Sequence, residues 1–86
     1  MSEPRVVDAR DLRCPAPVIE LARAARTAAP GDLVAVWWTD PAAEFDIPAW
    51  ARMRGHAVVS STPLPTDDDA AAARPAFVTT VRIQSA

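Results

Sequence analysis

The segment Leu33–Trp38 is the longest uninterrupted run of apolar residues in the sequence, and it is rich in β-branched and aromatic side chains. Such a run is typical of a central strand that is covered on at least one face. Because successive side chains of a strand point to opposite faces, Trp37 and Trp38 must lie on different sides of the sheet. The 86 residues are enough for one domain, so the remaining segments have to cover this strand.

The segments around this run alternate between strand and helix patterns. We predict further strands over 5–9, 57–61 and 77–83, and helices over 16–28 and 46–54. In the second helix Ile47, Trp50 and Met53 share a face that we assign to the core, and Gly55 is placed to end the helix in a left-handed conformation. Three prolines within 62–75 predict a flexible loop there.

The order β-α-β-α-β-β predicts a single α/β (α+β) domain over residues 1–86, built as a two-layer sandwich. A four-stranded mixed sheet would carry both helices on one face and leave the other face open. One of the two adjacent tryptophans would then lie on the open face.

Charge and composition exclude several classes of protein. The net charge is −2 with a pI near 5.1, and the chain has no lysine, which disfavours direct binding of nucleic acid. The longest apolar run is far shorter than the roughly 20 residues of a membrane helix, and residues 1–13 are too charged for a signal peptide. We therefore expect a cytoplasmic protein without membrane insertion, and we expect no metal and no cofactor.

Cys14 is the single cysteine, which excludes an internal disulfide, a dithiol couple and a cysteine-rich zinc site. It lies at or just before the start of the first predicted helix, where unpaired N–H groups and the helix dipole stabilise an anion. The neighbouring Arg13 acts in the same direction, whereas the carboxylates of Asp11 and Asp46 oppose it. From the residues alone, a reactive thiol and a buried structural cysteine both remain open.

Two prolines after this cysteine, Pro15 and Pro17, fix the turn and remove two backbone donors. The N–H groups that remain to face the sulfur are those of Ala16, Val18 and Ile19.

Three other polar residues have simple structural interpretations. Asp40 and Asp46 each stand shortly before a proline, so we interpret both as N-caps that lie near the end of the sheet where Cys14 is. We interpret His56, which follows Gly55, as a structural hydrogen-bonding residue rather than a catalytic base.

The run from Asp8 to Val18, which contains Cys14-Pro15-Ala16-Pro17, resembles the C-P-x-P signature of the TusA/SirA-like sulfur-carrier family, in which the cysteine opens the first helix. Residues 39–43 and 46–50 resemble the second-helix motif of that family, and 54–56 resemble its entry into the third strand. Together these blocks cover residues 7 to about 59. Asp11 stands where the family usually has glycine, and aspartate is one of the residues that tolerate a left-handed conformation.

The resemblance implies a sulfurtransferase-type carrier rather than a stand-alone turnover enzyme. Cys14 would accept a sulfur atom as a persulfide from a cysteine desulfurase or a rhodanese, and would pass it to an acceptor protein in tRNA thiolation, cofactor biosynthesis or sulfur metabolism. A chain with no second cysteine suits this role, because no internal thiol can expel the sulfur. The residues around the anion would be Arg13, Pro15, Ala16, Pro17 and Val18, with Asp11, Asp40 and Asp46 as modulators.

Two alternatives belong to other classes of protein. The first is a regulatory or adaptor module that docks a partner through the open sheet face, with the thiol incidental. The second is an RNA-binding domain, suggested only by analogy of fold and disfavoured by the acidic charge.

Overall fold

The computed structural model describes residues 3–65 and 75–84. The elements follow the predicted order, namely β1 (Arg5–Ala9), α1 (Ala16–Ala25), β2 (Leu33–Trp38), α2 (Ala43–Arg54), β3 (Ala57–Pro63) and β4 (Phe77–Arg82). Residues 66–74 of the predicted flexible loop lie outside the described residues. Within the described part, no helix is long and apolar enough to cross a membrane.

The four strands form one mixed sheet in the order β1-β2-β4-β3. The strand β1 pairs with β2 in parallel, whereas β4 is antiparallel to both β2 and β3. The predicted α+β architecture is therefore confirmed. Because β1 and β2 run in the same direction, the segments that leave their carboxyl ends emerge at the same edge of the sheet.

The core lies between one face of the sheet and the two helices. Val34 and Val36 of β2 are fully buried against Leu21 of α1, Ile47 of α2 and Val81 of β4. Burying side chains of this size stabilises the fold by about 1.5 to 3 kcal/mol each.

The two adjacent tryptophans lie on opposite faces, as predicted. Trp38 is buried on the helix side, where its ring stacks on Phe77 at 4.8 Å and its indole N–H donates to Thr79 Oγ1 at 2.9 Å. Trp37 is half-buried on the open face, with the Arg10 guanidinium 4.9 Å from the centre of its ring.

The helix α2 begins three residues earlier than predicted, so the interpretation of Asp46 as its N-cap is wrong. The turn after Asp40 is already helical, because Ala43 N–H donates to the Asp40 carbonyl at 2.9 Å and Glu44 N–H to the Pro41 carbonyl at 3.1 Å. Asp46 lies in the first turns of the helix, and Pro48, the proline that follows it in the sequence, stands inside the helix rather than at its start.

Four further boundaries or assignments differ from the prediction, and the smallest difference is that β4 ends at Arg82 rather than at residue 83. The helix α1 ends at Ala25 because the next N–H groups form tight three-residue turns, such as Ala28 N–H to the Ala25 carbonyl. The strand β3 continues to Pro63, since its pairing with β4 extends to Phe77. The assignment of Met53 to the core is wrong, because its side chain is 78% exposed, whereas Trp50 is buried as expected.

Candidate functional site

The loop between β1 and α1 is held by a left-handed turn at Asp11, whose φ is 68°. The Asp11 N–H donates to the hydroxyl of Thr39 at 2.9 Å, and Leu12 N–H donates to the Ala9 carbonyl at 3.2 Å. The aspartate therefore adopts the conformation for which glycine is better suited, as its position in the sequence predicts.

The Asp40 carboxylate connects the segments that precede the two helices. Its Oδ2 accepts the Cys14 N–H at 2.9 Å, and its Oδ1 accepts the Ala42 N–H at 3.0 Å. Asp40 thus stabilises the start of α2 from two residues before the cap position, which Ala42 occupies, so its assignment as the N-cap itself is wrong. The prediction that Asp40 lies near Cys14 is confirmed.

The Cys14 thiol is partly buried, and the carboxylates of Asp46 and Asp40 lie close enough to affect its charge. Burial raises the pKa of Cys14 to about 11, assisted by a side-chain hydrogen bond to Asp46 and by the negative charges of Asp46 and Asp40. From the sequence the direction of this pKa shift is open, because the helix start and Arg13 favour the thiolate whereas Asp46 opposes it; the structure adds burial and Asp40 on the opposing side. Desolvation and two nearby carboxylates outweigh the positive end of α1.

The predicted backbone donors are largely committed to the turn rather than to the sulfur. Pro15 caps α1, Ala16 N–H donates to the Arg13 carbonyl at 2.8 Å, and Ile19 N–H donates to the Pro15 carbonyl at 3.0 Å. Cys14 lies two residues before the helix. The four neighbours differ in exposure: Pro17 is buried, Ala16 and Val18 are half-buried, and Arg13 is exposed.

The contribution of Thr39 was missed from the sequence. Its buried hydroxyl, which holds the Asp11 N–H, follows β2 directly, just as the loop to Cys14 follows β1. The signal was available, because polar residues that follow two parallel strands meet at one edge of the sheet.

His56 is a structural residue, as predicted. Its Nδ1 accepts the Gln84 N–H at 3.1 Å, and its ring lies 5.1 Å from that of Trp50 at the carboxyl end of α2. Within residues 3–65 and 75–84, no group of three or more His, Cys, Asp or Glu is placed to hold a metal ion.

The fold and this site define a small α+β domain that presents one cysteine immediately before its first helix. Residues 5–70 match the model of the family described as Sulfurtransferase TusA. The match covers well over half of the chain, so the chain belongs to the TusA family.

Individual relatives agree with this assignment. The chain is 32% identical over 62 residues to a putative sulfur carrier protein YrkI of Bacillus subtilis, covering 72% of this chain and 83% of the relative. It is 43% identical over 54 residues to sulfur carrier protein TusA of Pseudomonas aeruginosa strain PAO1, covering 63% and 68%. A putative sulfur carrier protein of Archaeoglobus fulgidus is 37% identical over 54 residues, covering 63% and 74%.

A solved structure shares the fold. The crystal structure of a SirA-like protein from Desulfitobacterium hafniense superposes with a TM-score of 0.66, covering 93% of this chain and 97% of that chain at 22% identity.

Proposed function

We propose that this protein is a sulfur carrier in which Cys14 holds a sulfur atom as a persulfide and passes it to a partner protein. The observation that carries the proposal is the position of the single cysteine, partly buried before α1, within the segment that matches the family. The names of the relatives support the same role.

The transfer is a thiolate exchange with no net oxidation. The Cys14 thiolate attacks the outer sulfur of a donor persulfide, the donor's S–S bond breaks, and the donor thiolate leaves while Cys14–S–SH forms. In the second half, an acceptor thiolate attacks the outer sulfur of Cys14–S–SH and Cys14 leaves as thiolate. Protons exchange with water in both halves.

The raised pKa of Cys14 makes the resting thiol poorly reactive. With a pKa of about 11, only about one molecule in ten thousand carries the thiolate at pH 7. Efficient exchange therefore depends on groups that the partner brings near the Asp40 and Asp46 carboxylates. A high pKa also makes Cys14 a poor leaving group, so the loaded form holds its sulfur until an acceptor docks.

The partners follow from this chemistry. The donor has to present a persulfide, as a cysteine desulfurase or a rhodanese does. The acceptor is a downstream protein of tRNA thiolation, cofactor biosynthesis or sulfur metabolism. We place the protein in the cytoplasm, where a reducing environment keeps a single thiol free.

The adaptor alternative is favoured by one observation. Trp37 is half-buried on the open face of the sheet, beneath the Arg10 guanidinium, and a partly exposed aromatic residue beside a cation is a common docking element. If the protein is such an adaptor, Cys14→Ser should bind the partner as well as the wild type does.

Intact-protein mass spectrometry tests the carrier proposal. The purified chain is incubated with a cysteine desulfurase and cysteine, or with a rhodanese and thiosulfate, beside the Cys14→Ser variant. The proposal predicts a gain of one sulfur atom on the wild type alone, reversed by a reducing agent. The absence of any gain with both donors would favour the adaptor.

A further inference from the structure

A groove runs along the outer edge of β1. One wall is formed by four consecutive strand residues, Arg5, Val6, Val7 and Asp8. Because successive side chains point to opposite faces, a groove that touches all four follows the edge of the strand rather than either face. Its volume is about 470 Å³.

The other wall is formed by α1 and the turn that follows it. Glu20, Arg23 and Ala24 are spaced i, i+3 and i+4, which places them on one side of the helix, and Thr27 extends this wall in the turn after Ala25. The groove therefore lies between a strand edge and a helix, the arrangement in which PDZ domains bind extended peptides.

The edge of β1 is open to a further strand. Among the described residues β1 pairs only with β2, which stands on its other side. An edge strand presents a row of N–H and C=O groups that another extended backbone can pair with. The five residues of β1 give this edge a length of about 16 Å.

The charged side chains that line the groove have partners within the chain. Arg5 donates to the Ala24 carbonyl at 3.3 Å and to Thr27, Glu20 pairs with Arg23 at 3.4 Å, and Asp8 forms a two-point contact with Arg10 at 2.9 and 2.7 Å. The apolar lining is partly exposed, 50% for Val6 and 38% for Leu12. This lining fits an uncharged occupant.

The groove leads toward the cysteine. At the amino end of β1, the Arg5 side chain reaches from the strand to the last turn of α1. At the carboxyl end of β1, the groove continues along Leu12, which stands two residues before Cys14.

We propose that the β1 edge binds an extended, uncharged segment of the partner protein that exchanges sulfur with Cys14, by adding a strand to the sheet. This inference rests on the proposed function for the identity of the partner.

Peptide display tests the groove without any sulfur chemistry. A phage library of random decapeptides is selected on the full chain, with counter-selection on Ala24→Arg, which fills the groove from the α1 wall. The matched control Ala49→Arg adds the same charge on the exposed side of α2. We expect uncharged peptides that bind the wild type and Ala49→Arg equally and Ala24→Arg at least tenfold more weakly.

Two measurements keep the test independent of the stability of Ala24→Arg. Selected peptides should shift the NMR signals of the β1 and α1 groove residues, and N-methylation at alternate peptide residues should weaken binding at least tenfold in one of the two registers. The absence of selected peptides, equal binding to Ala24→Arg and Ala49→Arg, or shifts confined to other surfaces would overturn the proposal. Self-association of the chain through the same residues would also overturn it, because the occupant would then be a second copy.

The sulfur-carrier proposal is judged separately. Both arginine variants should still gain one sulfur on Cys14 from inorganic polysulfide, which needs no docked segment. Loss of peptide binding with retained loading would therefore concern the groove alone, and failure of the wild type to load would concern the carrier function.

Discussion

At the scale of single residues, the site is governed by two carboxylates on the α2 side of the thiol. The sequence places a cysteine before a helix, a setting that usually lowers its pKa. The sequence also indicates that Asp46 opposes this effect, and the structure adds partial burial and the charge of Asp40; the two carboxylates lie 32 and 26 residues away along the chain. The direction of the pKa shift could not be predicted, because it depends on tertiary distances that no local pattern specifies.

Asp46 should control the reactivity of the resting thiol. The substitution Asp46→Asn removes the carboxylate that raises the pKa of Cys14 more, so this pKa should fall and alkylation by iodoacetamide at pH 7.5 should become several-fold faster. The rate measured against pH reports the pKa directly. The control Glu44→Gln removes a charge from the same helix turn and should leave the dependence of the alkylation rate on pH unchanged. The account would be contradicted if Asp46→Asn showed the same pH dependence as Glu44→Gln.

The raised pKa of Cys14 also makes stability depend on pH. The ordinary pKa of 9.0 applies to the unfolded chain and about 11 to the folded one, so the contribution to stability is complete below pH 9 and is lost as the pH rises to 11. The full shift corresponds to about 2.7 kcal/mol, and because the thiol is only partly buried and solvent screens its charge, we expect the free energy of unfolding to fall by roughly 1 to 2 kcal/mol across this window.

The sequence makes this window easy to observe. The chain has no lysine and no tyrosine, so few other side chains titrate between pH 9 and 11. Urea unfolding should show the decrease in the wild type and little change in Cys14→Ser. A parallel decrease in both proteins would show that another group is responsible.

At the scale of secondary-structure elements, the strands and the start of α1 could be predicted, whereas the start of α2 could not. The apolar run of β2 and the alternation in β4 depend on local patterns; β2 appears at the expected residues, and β4 ends one residue earlier than expected. In contrast, Asp46-Ile47-Pro48 resembles a helix start, yet the turn after Pro41 begins the helix earlier. Proline is favoured in the first turn of a helix and is costly inside it, so Pro48 by itself favours the later start, and the contacts that Asp40 makes to Ala42 and Cys14 are not visible in the local pattern.

Asp40 joins the two helix starts, so its loss should affect both elements. In Asp40→Ala, the N–H groups of Cys14 and Ala42 lose their acceptors, and we expect a loss of about 1 to 2 kcal/mol in stability. Asp40→Asn retains one acceptor oxygen and should lose about half as much. Urea unfolding at pH 7 measures the stability of both variants. Equal stability of the wild type and Asp40→Ala would show that the two hydrogen bonds accepted by Asp40 contribute nothing to stability.

At the scale of the whole molecule, the two faces of the sheet differ in what lies against them. The helix face holds the core, and the open face carries Trp37 beneath Arg10. The two-layer arrangement follows from the order of elements, so the sequence predicts that one tryptophan lies on the open face. Which side chain would lie over Trp37 depends on the turn after β1 and could not be predicted.

Replacement of each tryptophan separates the two faces. Trp38→Ala removes a buried ring and the hydrogen bond to Thr79, and should cost about 3 to 5 kcal/mol. Trp37→Ala should cost about 1 kcal/mol, because the ring is half-exposed, and should leave sulfur loading of Cys14 unchanged. Thermal unfolding and intact mass measure the two effects. If a folded Trp37→Ala protein no longer gained sulfur on Cys14, the open face would take part in sulfur transfer, which would contradict this account.

The central claim is that each molecule carries one transferable sulfur on Cys14. Cyanolysis measures this directly, because cyanide removes the outer sulfur of a persulfide as thiocyanate and leaves the thiol. After loading and removal of the donor, the wild type should release about one thiocyanate per chain and Cys14→Ser none. Release by Cys14→Ser, or no release by a wild-type chain treated with an active donor, would contradict the account.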